Sequence, residues 1–64
     1  MKTNQPTYED RLAMRARQFA DALGISGADA LAEYGEEANR QADANEFTRG
    51  DFAGALLALD GGAA

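Results

Sequence analysis

Thr7-Tyr8-Glu9-Asp10-Arg11-Leu12-Ala13-Met14-Arg15-Ala16-Arg17-Gln18-Phe19-Ala20-Asp21-Ala22-Leu23-Gly24 is the stretch on which the fold class turns. A threonine stands three residues ahead of an acid, the pattern of a helix-opening capping box. Behind it Tyr8, Leu12, Ala16, Phe19 and Leu23 recur at intervals of 4, 4, 3 and 4, so they share one face of an α-helix. Gly24 follows the last of them and can take the left-handed conformation that ends a helix, with Ile25 folding back on Phe19 or Ala20. The spacing predicts a helix over residues 8–23.

Ser26-Gly27-Ala28-Asp29 repeats the capping logic and opens a second helix, predicted over 27–48. Its stripe of Leu31, Tyr34, Ala38 and Ala42 is thin, because alanine covers little surface, and such small residues let a neighbouring helix come close. Gly35 sits mid-helix at about 1 kcal/mol less favourable than alanine, so a tight helix contact is expected there. A third helix, predicted over 51–60, presents Phe52, Ala55, Leu56 and Leu59 on one face and leaves Leu57 off it. Both tyrosines, Tyr8 and Tyr34, fall on stripes expected to face the core.

The junction near residue 48 has two readings. In one, Thr48-Arg49-Gly50-Asp51 is a third capping box, with Phe47 stapled to Phe52. In the other, the second helix runs to about Arg49, Gly50 ends it and Asp51 caps the third. Phe47-Thr48-Arg49-Gly50-Asp51-Phe52-Ala53-Gly54-Ala55-Leu56 resembles the turn of a tetratricopeptide-type helical hairpin, which implies the second geometry. Asp43 and Asn39 depart from that repeat, and the resemblance carries hairpin geometry without peptide-binding function.

The expectation is an all-α fold, a small antiparallel three-helix bundle over residues 7–60. Residues 1–6 form a flexible lead-in and residues 61–64 a frayed tail. Fifteen of the 29 hydrophobic residues are alanine, which leaves 13 large apolar side chains besides Met1. A core that small invites completion by dimerisation or by a partner.

Absent residue types exclude most chemistry. Without cysteine there is no disulfide and no thiolate metal site. Without histidine the usual metal ligand and general base are missing. Ser26 and Lys2 are the sole serine and lysine, so no Ser-His-Asp or Ser-Lys arrangement can form in one chain. No enzyme activity, cofactor or metal is expected. No apolar stretch follows the polar start Met1–Pro6, and the run Ala53–Leu59 is too short to cross a bilayer, so the expected location is cytoplasmic. The Arg49-Gly50-Asp51 tripeptide spells an adhesion motif, but a helix turn explains it better.

Charge is distributed unevenly. Residues 1–18 carry four basic and two acidic side chains, +2, while residues 19–64 carry two basic and nine acidic, −7, summing to −5. Phosphate backbones repel such a chain, so no direct nucleic-acid binding is expected. Asp29, Glu33, Glu36 and Glu37 form the densest acidic set and would share one side of the second helix, with Glu36 paired to Arg40. Arg11 and Arg15 lie one turn apart, placed for a phosphate clamp, for an acidic partner or for pairing with the acids of the second helix, while Arg17 points elsewhere. Leu57 and Met14 are candidates for exposed apolar contacts.

These features predict a non-enzymatic, acidic protein-binding module whose partner presents a basic surface. Asp29, Glu33, Glu36, Glu37, Arg11, Arg15 and Leu57 are its expected contact residues. In size and charge it resembles the small acidic phage proteins that disable host defence complexes, acting as inhibitors that mimic nucleic acid on a basic groove. The alternative is a homo-oligomeric structural protein, such as a small virion or scaffold component.

Overall fold

The computed structural model describes residues 6–61, so residues 1–5 of the expected lead-in and 62–64 of the expected tail lie outside the described residues. Four helices, and no strand among the described residues, make the fold all-α: α1 (Tyr8–Leu23), α2 (Gly27–Glu33), α3 (Gly35–Ala44) and α4 (Arg49–Gly61). The predicted three helices become four because the second is divided at Tyr34 and stops four residues early.

α1 forms as its sequence dictates. Thr7 Oγ1 accepts from the Asp10 backbone N–H at 3.0 Å and the Asp10 carboxylate accepts from the Thr7 N–H, completing the capping box. At the other end Gly24 adopts φ 73°, and the Gly24 and Ile25 N–H groups both donate to the Ala20 carbonyl. This left-handed closure folds Ile25 against the core.

The long second helix does not survive. Tyr34, at φ −125° and ψ 38°, is both the last cap of α2 and the first of α3. Its N–H donates to the Ala30 carbonyl and its own carbonyl accepts from Ala38, so one residue closes one ladder and opens the next. Gly35, expected to meet a neighbouring helix, has nothing within 4 Å of where a Cβ would lie. The close approach falls at Gly27 instead, where a Cβ would overlap the backbone carbonyl of Leu56 on α4. Asp60 of α4 strengthens that contact: its carboxylate accepts from the Gly27 and Ala28 N–H groups at 3.0 and 2.8 Å. It thus caps α2 from 33 residues away, satisfying donors that α2 leaves without intrahelical partners.

α3 ends at Ala44, not near Arg49. Phe47 N–H returns to the Ala42 carbonyl and Glu46 N–H to that of Asp43, the same closure as at Gly24, but with Glu46 at φ 64° where glycine is usual. α4 then starts on the capping-box reading of the junction. Thr48 Oγ1 accepts from the Asp51 N–H at 3.0 Å, and the Phe47 and Phe52 rings stack with centroids 6.2 Å apart. The tetratricopeptide-like turn is thereby overturned: Gly50 and Asp51 lie inside the first turn of α4. A tertiary contact also modifies the box. The Asp51 carboxylate accepts a hydrogen bond from the Tyr8 hydroxyl at 2.8 Å, and the Tyr8 oxygen accepts from the Thr48 N–H at 3.4 Å.

The core consists of Leu12, Ala16, Ala20, Ala30, Ala38, Ala42, Phe47, Phe52 and Leu56, and among the described residues only Phe52 and Leu56 are large side chains shielded completely. α4 packs on α1, α2 and α3, whereas α1 and α3 barely meet. The result is a central α4 wrapped on three sides, with an open seam between α1 and α3.

Candidate functional site

The divided helix decides where the predicted acids go. Asp29 and Glu33 belong to α2, Glu36 and Glu37 to α3, so the expected single straight face does not exist. Glu33, Glu36 and Glu37 nevertheless line one open concavity together with Leu23, Ala32, Tyr34, Gly35 and Arg40. Asp29 is exposed but does not line it. Tyr34 was expected in the core and is instead 43% exposed, because the break at its own backbone turns it out of the stripe.

The electrostatics of the concavity differ from the expected pairing. Arg40 bonds Glu37, not Glu36, with its Nη2 2.9 Å from Glu37 Oε1. Gln41 adds a second donor at 3.4 Å. Hydrogen bonds from Arg40 and then Gln41 hold the Glu37 carboxyl below the usual carboxylate range. Arg49 does the same for Asp43, with Nη2 2.7 Å from Oδ2. Glu33 and Glu36 make no ion pair or hydrogen bond among the described residues, so their charges face solvent undiminished.

The arginines of α1 are also placed differently from the intramolecular reading. Arg11, Arg15 and Arg17 form no ion pair among the described residues. Arg11 instead lies over the Tyr8 and Phe47 rings, 5.9 and 5.6 Å from their centroids, and Arg15 donates to Gln18 Oε1 at 3.1 Å. Both border a cleft with Met14, Gln18, Asn45 and Phe47. Arg17 lines a separate depression beside Asp21 and Asp60. Leu57 and Met14 are 50% and 55% exposed, as their places off the apolar stripes foretold. Tyr8 lies at the surface, its ring edge on Phe47 at 5.4 Å.

Among the described residues no group of acidic side chains is arranged to hold a metal ion, and no helix is long and apolar enough to cross a membrane. Two residues escaped the sequence reading, Asp60 and Gly27. Asp60 reads as the last residue of the predicted third helix, and nothing local to it announces a partner 33 positions back. Gly27 read as a capping-box filler, although a glycine three residues before Ala30, which the fold buries, is small enough to admit a close backbone.

Fold and surface together define a small all-α chain with an acidic concavity, lined in part by Tyr34, at a helix break. No family model matches it, and neither the curated proteins nor the solved structures contain a match.

Proposed function

We propose that this chain is a non-enzymatic protein-binding module that occupies a partner's basic surface through the α2–α3 concavity. In its sharpest form it is a stoichiometric inhibitor covering a nucleic-acid-binding groove, in the manner of phage anti-defence proteins. One observation carries the reading: the unpaired carboxylates of Glu33 and Glu36 rim a concavity around the half-exposed Tyr34 ring. A rigid aromatic with a hydroxyl is a common anchor in interfaces, and its face attracts cations. Unneutralised carboxylates beside it offer arginine or lysine charge-assisted hydrogen bonds without first breaking internal ones. The overall charge of −5 accelerates encounter with a basic surface and repels nucleic acid itself. Asp29 and Leu57 are exposed and would extend the contact beyond the concavity.

The test is capture of a partner from lysate of the cells that make the protein, followed by competition with duplex DNA. Glu33→Lys with Glu36→Lys should weaken the recovered complex roughly a hundredfold, as reversal of desolvated charges does. DNA should displace the wild-type chain. Unchanged affinity in the double variant, or indifference to DNA, defeats the proposal. The homo-oligomer reading is favoured by a different observation, the opposite charges at the two ends of the α1–α3 seam.

A further inference from the structure

Three depressions follow one another along the seam between α1 and α3. The first is bordered by Arg11, Met14, Arg15 and Gln18 with Asn45 and Phe47. The middle one shares Arg15 and Gln18 and adds Phe19, Ala22 and Gln41. The last is the Tyr34 concavity, reached through Leu23, the neighbour of Ala22. They follow one another because α1 and α3 barely touch while α4 packs on both.

The two ends of this seam carry opposite charge. Arg11 and Arg15 give +2 among the residues lining one end. At the other, Arg40 against Glu33, Glu36 and Glu37 gives 1 − 3 = −2. The ends cannot neutralise each other within one molecule. Met14 and Leu23 are nine residues apart on one helix, about 14 Å at 1.5 Å per residue. A charge pattern that reverses along a groove is self-complementary about a two-fold axis perpendicular to it, and an isologous contact of that kind closes at two copies.

We infer that a second copy of this chain lies antiparallel across the α1–α3 seam, the arginine end of each copy over the acidic end of the other. The axis passes near Gln18, midway between the charged ends. Each Met14 side chain, 55% exposed, then meets the partner's Tyr34 in a sulfur–aromatic contact. Arg11 and Arg15 face Glu33 and Glu36, the two seam acids with no internal pair. Neutral groups already position both guanidiniums, Arg11 over two rings and Arg15 on the Gln18 amide, so less side-chain freedom is lost on docking. The contact draws on the acidic end assigned above to a basic partner, so a second copy and that partner compete for Glu33 and Glu36.

Sedimentation equilibrium over a concentration series tests this with the full chain and two double variants. Arg11→Glu with Arg15→Glu makes both seam ends acidic, and Glu33→Arg with Glu36→Arg makes both basic. Wild type should show a monomer–dimer equilibrium, and each variant alone a dimer dissociation constant at least tenfold higher. An equimolar mixture of the two variants should recover a 1:1 dimer, because both of its contacts become complementary. A wild type that stays monomeric, dimers persisting in either variant alone, or growth beyond two copies in the mixture overturns the inference. Should the arginine variant unfold by circular dichroism, Met14→Glu carries the same expectation with both guanidiniums left in place. Partner capture separates the two proposals, since it should be lost only in the Glu33 and Glu36 variant.

Discussion

The α2–α4 contact and the α1–α3 seam are built on opposite principles. At α2–α4 the backbones approach until no Cβ fits at Gly27, and Asp60 ties the α2 N-terminus to the end of α4. Phe52 and Leu56, the two large side chains fully shielded from water, lie on α4. Along the seam the two backbones barely meet, and charged side chains border the depressions there. Thus a chain poor in large side chains concentrates its stability on one helix. Its least satisfied surface is then the place where another molecule can be recognised.

Substitutions should act unequally on the two regions. The largest effect is expected at Gly27. Gly27→Ala drives a methyl into the Leu56 carbonyl, which is backbone and cannot rotate away, so α2 must lift from α4. A loss of about 3 kcal/mol or more, at the upper end for overpacking, should appear as a collapse of the thermal transition. Wild-type stability in this variant would show that the two helices are not in close contact.

Next in size, Asp60→Ala should lower stability by about 1–2 kcal/mol, the range for a lost helix cap, read as a reduced urea midpoint. Asp60→Asn retains one acceptor and should lose less. If the alanine variant is neutral, α2 does not depend on α4 for its cap.

The smallest effect has the reverse sign. A methyl at Gly35 meets nothing, so Gly35→Ala should raise stability by about 0.5 kcal/mol by restricting the unfolded chain. Hydrogen exchange should show the α3 amides better protected. Two glycines from the same predicted helix would then respond in opposite directions, one in a closed contact and one in the open concavity.

How much of this was legible follows from the range of the forces. The capping box of α1, its amphipathic stripe and its Gly24 closure depend on residues within four positions of one another, and all were readable. So was the box at Thr48 with its Phe47–Phe52 staple, although the aromatic-x-x-Gly-Asp-aromatic resemblance pointed to a different turn. The end of α3 was hidden because Glu46 holds a left-handed conformation that a sequence reader assigns to glycine or asparagine. The break at Tyr34 was hidden too. Leu31, Tyr34, Ala38 and Ala42 keep helical spacing through it, so periodicity carries no trace of the interruption.

The candidate site was legible in composition and not in arrangement. Glu33, Glu36 and Glu37 were recognised as an acidic set, and they do converge, but only because the break folds α3 back beside the end of α2. The expected Glu36–Arg40 pair yielded to Glu37–Arg40, three residues apart instead of four. Arg11 and Arg15 were foreseen as neighbours. Tyr8 and Gln18, one helical turn away on α1, are local partners, whereas the Phe47 ring over which Arg11 also lies depends on the turn before α4 and could not be foreseen.

By itself the amino-acid order determined an all-α chain, its first helix with both caps and a net negative charge, and it left the start of the last helix between two readings. These follow from local hydrogen bonding, side-chain period and simple summation of charge. Tertiary structure alone decided that the second helix is two, that Gly27 and Asp60 fasten α2 to α4, and that Tyr34 is turned outward among acids. The fastening of α2 joins groups 33 positions apart, and helical spacing runs unbroken through Tyr34, so no local pattern records either.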